Sequence, residues 1–216
     1  MGNTVGSSNL HFWNFWEKKD GSYILGLWCA DGYHRTSSIG ISNNNLDIIN
    51  RFHTFLLGSF EKDRIKVRVY FPVGSKINIK LYQRFSNHIV SYPMEKCSRP
   101  ALQLYVNSRP LLRLFRQARN SILDLRKKLN ISAYFAGRFD GDGSIASDMR
   151  SDCRIVYSNL EEAKSDQELL QSAGFSKSKV YVYKKAKTFC LYISRYETKK
   201  FIDSIKKYSI KLVPKM

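Results

Sequence analysis

The feature that most restricts how this chain can fold is that it repeats itself. YILGLWCADG, at residues 23–32, returns as YFAGRFDGDG at residues 134–143, with Tyr, Gly, Asp and Gly at matching places. Residues 39–45 (IGISNNN) align with 155–161 (IVYSNLE), and the Leu-Leu-Gly ending at Gly58 aligns with the Ser-Ala-Gly ending at Gly174. LYVNS at 104–108 then aligns with LYISR at 191–195. Four anchors recurring in one order imply two copies of one structural unit whose loops have diverged. The halves are set at residues 1–119 and 131–216, with a short charged linker at 120–130.

Periodicity gives the same course to both halves. The first half reads as a helix at 21–30, strands at 35–42, 64–71, 77–82 and 101–106, and helices at 46–57 and 110–123. The second reads as a helix at 132–141, strands at 143–150, 152–158, 179–185 and 188–194, and helices at 161–173 and 197–208. The class is α+β, with two pseudo-symmetric halves.

Composition bears on the partner. Lys and Arg number 36 against 18 acidic residues in 216, a formal charge of +18. Such an excess repels itself in a compact chain, so an anionic partner is expected, nucleic acid first and a membrane surface or ribosome after it. No apolar run reaches the roughly 20 residues that span a bilayer, and residues 1–10 lack a signal-peptide layout. Cys29, Cys97, Cys153 and Cys190 are scattered without a C-x-x-C pair, which suits reduced thiols inside a cell. Abundant Lys, Asn, Ile, Ser, Tyr and Phe resemble translations of A+T-rich genomes, so an organelle (chloroplast or mitochondrion) stands beside the cytoplasm as the expected location. His11, His34, His53 and His88 show no ligand spacing and are given no chemistry.

In the repeated helices, Gly26 and Ala30 share one face, as do Gly137 and Gly141, so two such helices can approach closely. Asp31 and Asp142 each end a helix just before a Gly. The helix C-terminus carries partial negative charge and disfavours an Asp there unless a cation compensates. A local rule broken twice at equivalent positions points to function. Packed side by side, the helices would bring both carboxylates together, where a divalent metal relieves their repulsion and activates water for phosphodiester hydrolysis. Asp140 has Cys29 as its counterpart and is given only a supporting or capping role.

These motifs resemble those of the LAGLIDADG homing endonucleases: FAGRFDGDG at 135–143 is close to the family signature, and ILGLWCADG at 24–32 is a divergent copy. The resemblance implies two α-β-β-α-β-β-α halves whose antiparallel sheets form a DNA-binding saddle. It implies Asp31 and Asp142 as metal-binding acids, with Ala30 and Gly141 at the same metal site, and Mg2+ or Mn2+ as the ion. It places polar, water-positioning residues at Asn43 and Asn159. It also calls for a basic residue near the end of each half. That residue is Arg126 in the first, whereas Val213 stands at its place in the second, with Lys211 or Lys215 as substitutes. The implied activity is a monomeric, intron-encoded endonuclease that breaks both strands of a long duplex site and leaves 3′ overhangs. An intron RNA maturase and a non-cutting DNA-binding protein of the same fold are the alternatives.

On the strands, side chains suited to reading base edges are Tyr33, Arg35, Ser37, Arg64, Lys66, Arg68, Lys76, Asn78 and Lys80 in the first half. In the second they are Arg150, Arg154, Lys179, Tyr181, Tyr183 and Lys185.

Overall fold

A computed structural model describes residues 15–146 and 152–212. The first half runs α1 (Lys19–Asp31), β1 (Gly32–Arg35), β2 (Ser38–Asn43), α2 (Leu46–Leu57), β3 (Lys66–Pro72), β4 (His88–Met94), β5 (Ala101–Asn107) and α3 (Arg109–Asn120). The second runs α4 (Ile131–Asp142), β6 (Gly143–Ile145), β7 (Cys153–Tyr157), α5 (Leu160–Ser172), β8 (Lys179–Tyr183), β9 (Thr188–Ile193) and α6 (Arg195–Ile205). The strand order β1-β2-β5-β3 of one sheet is repeated as β6-β7-β9-β8 in the other. Both halves are therefore α-β-β-α-β-β-α, with one extra strand, β4, at the edge of the first sheet.

The halves meet along α1 and α4, and glycine explains how closely. A Cβ on Gly26 would strike the carbonyl of Tyr134, and one on Gly137 would strike the carbonyl of Tyr23. Each helix thus has a hole where the other has backbone. Around this crossing Tyr23, Leu25, Leu27, Tyr134, Phe135 and Ala136 are buried, and the core continues under both sheets. The inward residues Ile39, Ile41, Val67, Val69, Leu102, Leu104 and Val106 alternate with outward polar ones, as a half-buried sheet requires.

Several sequence expectations are corrected in the first half. Residues 35–42 are not one strand: β1 ends at Arg35, and a turn at Thr36 and Ser37, with Thr36 at φ 50°, leads into β2. Residues 77–82 are not a strand: Asn78 accepts a hydrogen bond from the Lys80 backbone N–H and caps a 3-10 turn, Ile79–Tyr82. The strand at this edge is β4 instead, and it pairs parallel to β3 with Lys66 opposite His88, against an expectation of antiparallel sheets alone. Its alternation is weak because Val90, Tyr92 and Met94 are all exposed, and Pro93 is tolerated only because the strand is at an edge. The connection after α3 is also more than a charged strip. It buries Ile122, Leu125 and Leu129 around a 3-10 turn, Asp124–Lys127.

Candidate metal centre and nucleic-acid interface

Asp31 and Asp142 are the last residues of α1 and α4, and no basic residue lies in the last turn of either helix. The helices cross so that the Asp31 carboxylate lies against Gly141: its Oδ2 is 3.2 Å from where a Cβ on that residue would stand. A larger residue at 141 would fill the cradle between the acids. Burial pushes Asp31 up to about 6, opposed by a hydrogen bond from Asn43 and reinforced by the charge of Asp142. Asp142 is more exposed and also shifts upward, from partial burial, with Arg138 and Lys211 opposing.

Asn43 reaches this point from the end of β2. Its Nδ2 donates to Asp31 Oδ2 at 2.6 Å, and its own Oδ1 accepts from the Asn45 N–H at 2.7 Å, which fixes the orientation of the amide. Asn159 does not play the same part. Gly32 pairs with Ile41 and Gly143 with Ile155, so Asn43 corresponds to Tyr157 and Asn159 to Asn45. Asn45 and Asn159 are both helix caps, Asn45 for α2 and Asn159 for α5, where its Oδ1 accepts from the Glu161 and Glu162 N–H groups. The sequence alignment slipped by two residues because Asn follows Ser in both segments, and the true anchor is the cap. Tyr157 turns inward, and its hydroxyl donates to Asp166 at 2.8 Å.

Lys211 does arrive at the site. Its Nζ donates to the carbonyls of Gly141 at 3.0 Å and Phe139 at 3.4 Å, so it neutralises the exposed end of α4. It also lowers the proton affinity of both Asp31 and Asp142. Asp140 puts it there. That fully buried carboxylate accepts from Tyr23 Oη, Ser209 Oγ and the backbone N–H groups of Ile210 and Lys211, stapling the C-terminal segment to the motif helix. In the first half Cys29 stands in its place, and no carboxylate draws in the chain after α3. Arg126 accordingly remains exposed in its turn and is not among the groups acting on either acid. Lys215 and Val213 lie outside the described residues.

The donor set suits a hard cation. It offers the two carboxylates of Asp31 and Asp142, both oxygen, while the Gly141 carbonyl expected beside them already accepts from Lys211 Nζ at 3.0 Å. Among the described residues no group of three or more His, Cys, Asp or Glu side chains gathers that could hold a metal. Water or phosphate oxygens would have to complete such a shell.

The register of each sheet decides which strand residues face outward. In the first sheet Tyr33, Arg35, Lys66 and Arg68 share the outer face with Tyr70, Gln103, Tyr105 and Asn107 on β3 and β5. Arg68 lies over the Tyr105 ring, 5.0 Å from its centroid, and donates to Gln103 Oε1 at 3.3 Å. In the second sheet Arg154, Lys179, Tyr181 and Tyr183 face outward with Ser144 and Tyr192. The outward residues of β5 and Tyr192 of β9 escaped the sequence reading, although their alternation with Leu102, Leu104 and Leu191 carried the signal. Several candidates are not on strands at all. Ser37 lies in the β1–β2 turn, Lys185 in the β8–β9 turn, and Lys76, Asn78 and Lys80 around the 3-10 turn before β4. Arg64 precedes β3, with its guanidinium over Phe60. Arg150 lies outside the described residues. Arg154 pairs with the buried Asp152 at 2.5 Å.

Compared by sequence, the chain matches no family model and no curated protein. Compared by structure, it is similar to I-DmoI in complex with DNA and Mn: TM-score 0.55, 16% identity, 92% of this chain and 98% of that one. Variants of the homing endonuclease I-DmoI superpose with a TM-score of 0.58 at 16% identity, over 87% and 95% of the two chains. The N-terminal LAGLIDADG domain of DUF199/WhiA gives 0.54 at 16% identity, over 88% and 83%. The repeated α-β-β-α-β-β-α unit, joined through its two motif helices, is the fold of the LAGLIDADG homing endonucleases.

Proposed function

We propose that the chain is a site-specific DNA endonuclease that breaks both strands of a duplex by metal-dependent phosphodiester hydrolysis and leaves 3′ overhangs. One observation carries this reading: the acids of two repeated helices converge at Asp31 and Asp142, between two sheets whose outer faces carry Arg, Lys, Tyr and Gln. Mg2+ or Mn2+ fits the oxygen donors, and when bound it supplies activated water and stabilises the leaving oxygen. The chain's own groups then divide the work. Asn43 holds the Asp31 carboxylate in one orientation, Lys211 offsets the negative charge where the helices end, and the outward sheet residues bind phosphates and base edges. Similar folds solved with DNA and with Mn, Mg or Ca support this reading. A monomer follows from having both motif helices in one chain, and an intron-borne gene follows from the resemblance.

A plasmid carrying the uninterrupted form of the encoding locus tests it, incubated with Mg2+, Mn2+ or a chelator. Linear product is expected only with metal. Asp31→Asn and Asp142→Asn should each bind the plasmid yet cut more slowly by about 100-fold or more, since even a group that merely supports a metal ligand is worth up to that. Wild-type cutting by Asp31→Asn would end the paired-carboxylate mechanism. Binding without any cutting would leave a non-cutting DNA-binding protein, and preference for intron RNA would leave a maturase.

A further inference from the structure

Helix α3 carries a basic stripe that the cleavage site does not use. Its sequence, RPLLRLFRQARN, contains no acid. Leu111, Leu112, Phe115 and Ala118 are buried against β2 and α1, on the inner side of the first sheet. Arg109, Arg113 and Arg116 recur at helical spacing on the opposite side and are exposed. Among the described residues, none of the three guanidinium groups makes an ion pair or hydrogen bond. Because the opposite side of α3 packs on the inner side of the first sheet, they lie away from the sheet face that carries Tyr33, Arg35, Lys66 and Arg68, with a helix about 10 Å thick between the two basic surfaces. A duplex lying on the sheet does not reach them.

The second half shows that this is not the chain's general basicity. α6 begins one residue after Ser194 as α3 begins one after Ser108, so Arg109 and Arg113 correspond to Arg195 and Lys199 and Arg116 to the apolar Ile202, and the exposed side of α6 adds Lys200 and an acid, Asp203. Lys200 donates to the Gly174 carbonyl at 3.0 Å, and Asp203 pairs with Lys206 at 2.8 Å. That side of α6 is offset by its own acid, whereas the stripe on α3 is bare. It is also made of arginine, whose planar fork fits phosphate oxygens better than a lysine point charge. From Arg109 to Arg116 the helix rises about 10 Å, roughly the axial rise of three phosphates along one strand of B-DNA.

We infer that the solvent face of α3 is a second binding surface for double-stranded DNA, so that one protein holds two duplex segments and passes between them while searching. The inference rests on the DNA reading of the sheet faces. Its backbone contacts are independent of sequence, which suits a searching contact rather than a recognising one.

A short random-sequence duplex is fixed to beads, protein is added, and retention of a second, dye-labelled duplex is measured. The wild type should retain the second duplex. Arg109→Glu/Arg113→Glu/Arg116→Glu should lose that retention at least about tenfold while still binding the fixed duplex, and the lost contacts should lower the salt slope of retention by about 2 to 3. A milder Arg109→Gln/Arg113→Gln/Arg116→Gln variant with unchanged circular dichroism should show the same loss. If no duplex binds the wild type, the DNA reading of the sheets fails. If the first binds but no second is retained, only the inference fails. Bridging that survives the triple variants would assign it to a second copy of the chain and overturn the inference. A structured RNA that displaces the second duplex better than DNA does would overturn the choice of DNA.

Discussion

The carboxylates of Asp31 and Asp142 end equivalent helices, yet they stand in different company. Asp31 is bridged by Asn43, a fixed amide at the end of β2. At the same register position the second half has Tyr157, drawn into the interior by Asp166. The difference extends behind both sites. Counting from the caps Asn45 and Asn159, Ile48 and Phe52 on α2 correspond to Glu162 and Asp166 on α5, and Leu27 on α1 corresponds to Arg138 on α4. The first half thus buries an apolar cluster where the second buries an ionic one. Arg138 donates to Asp166 at 2.8 Å and to Glu162 at 3.1 Å, and Tyr134 and Tyr157 donate to Asp166 as well. Backbone symmetry is enforced where the glycines meet carbonyls, because nothing else fits there. Away from that contact, either an apolar or a fully satisfied polar cluster fills the same space, so the halves were free to diverge.

The largest effect is expected where that divergence is deepest. Asp166→Ala should lower stability by about 3 kcal/mol in urea unfolding, because it leaves the buried Arg138 Nε and two tyrosine hydroxyls without their acceptor while Glu162 still holds Arg138 Nη2. Adding Arg138→Leu, the residue of the first half, should recover part of the loss. Additive costs in that cycle would show that the second cluster is not one coupled unit.

A smaller and sharper effect concerns the acid that Asn43 touches. On the proposed mechanism metal binding needs Asp31 ionised, and its upward shift to about 6 in the metal-free protein means that cutting at low metal concentration should fall as pH drops toward that value. The Asn43 amide favours the ionised form, so Asn43→Ala should move this acid limb to higher pH, while Tyr157→Phe should leave it in place. Linkage gives a second readout in the metal-free protein. Because folding raises the proton affinity of Asp31, its ionisation opposes folding as pH rises from about 4 to about 6. Asp31→Asn should therefore be more stable than wild type above that window and lose the advantage below it. Equal shifts of the limb in both variants would refute the contrast between Asn43 and Tyr157.

Smallest of all, Asn159→Ala should cost about 1 kcal/mol, the usual loss of a helix cap, and leave the cutting rate unchanged. A slower enzyme of normal stability would restore Asn159 to the site.

The sequence by itself determined the duplication, the two motif helices, the paired acids and the basic character, since these are periodic or local properties that one chain carries openly. It also located α2 at residues 46–57, where a cap, an apolar stripe and Gly58 agree. Which polar residue serves which acid was decided only by tertiary structure. Strand register moved Asn159 from the site to a cap, and the buried Asp140, not helical spacing, brought Lys211 across while Arg126 was left in solvent. The same holds for β4 and for the outward faces of β5 and β9: a side chain's direction is fixed by the strand beside it, and that neighbour is chosen by packing many residues away.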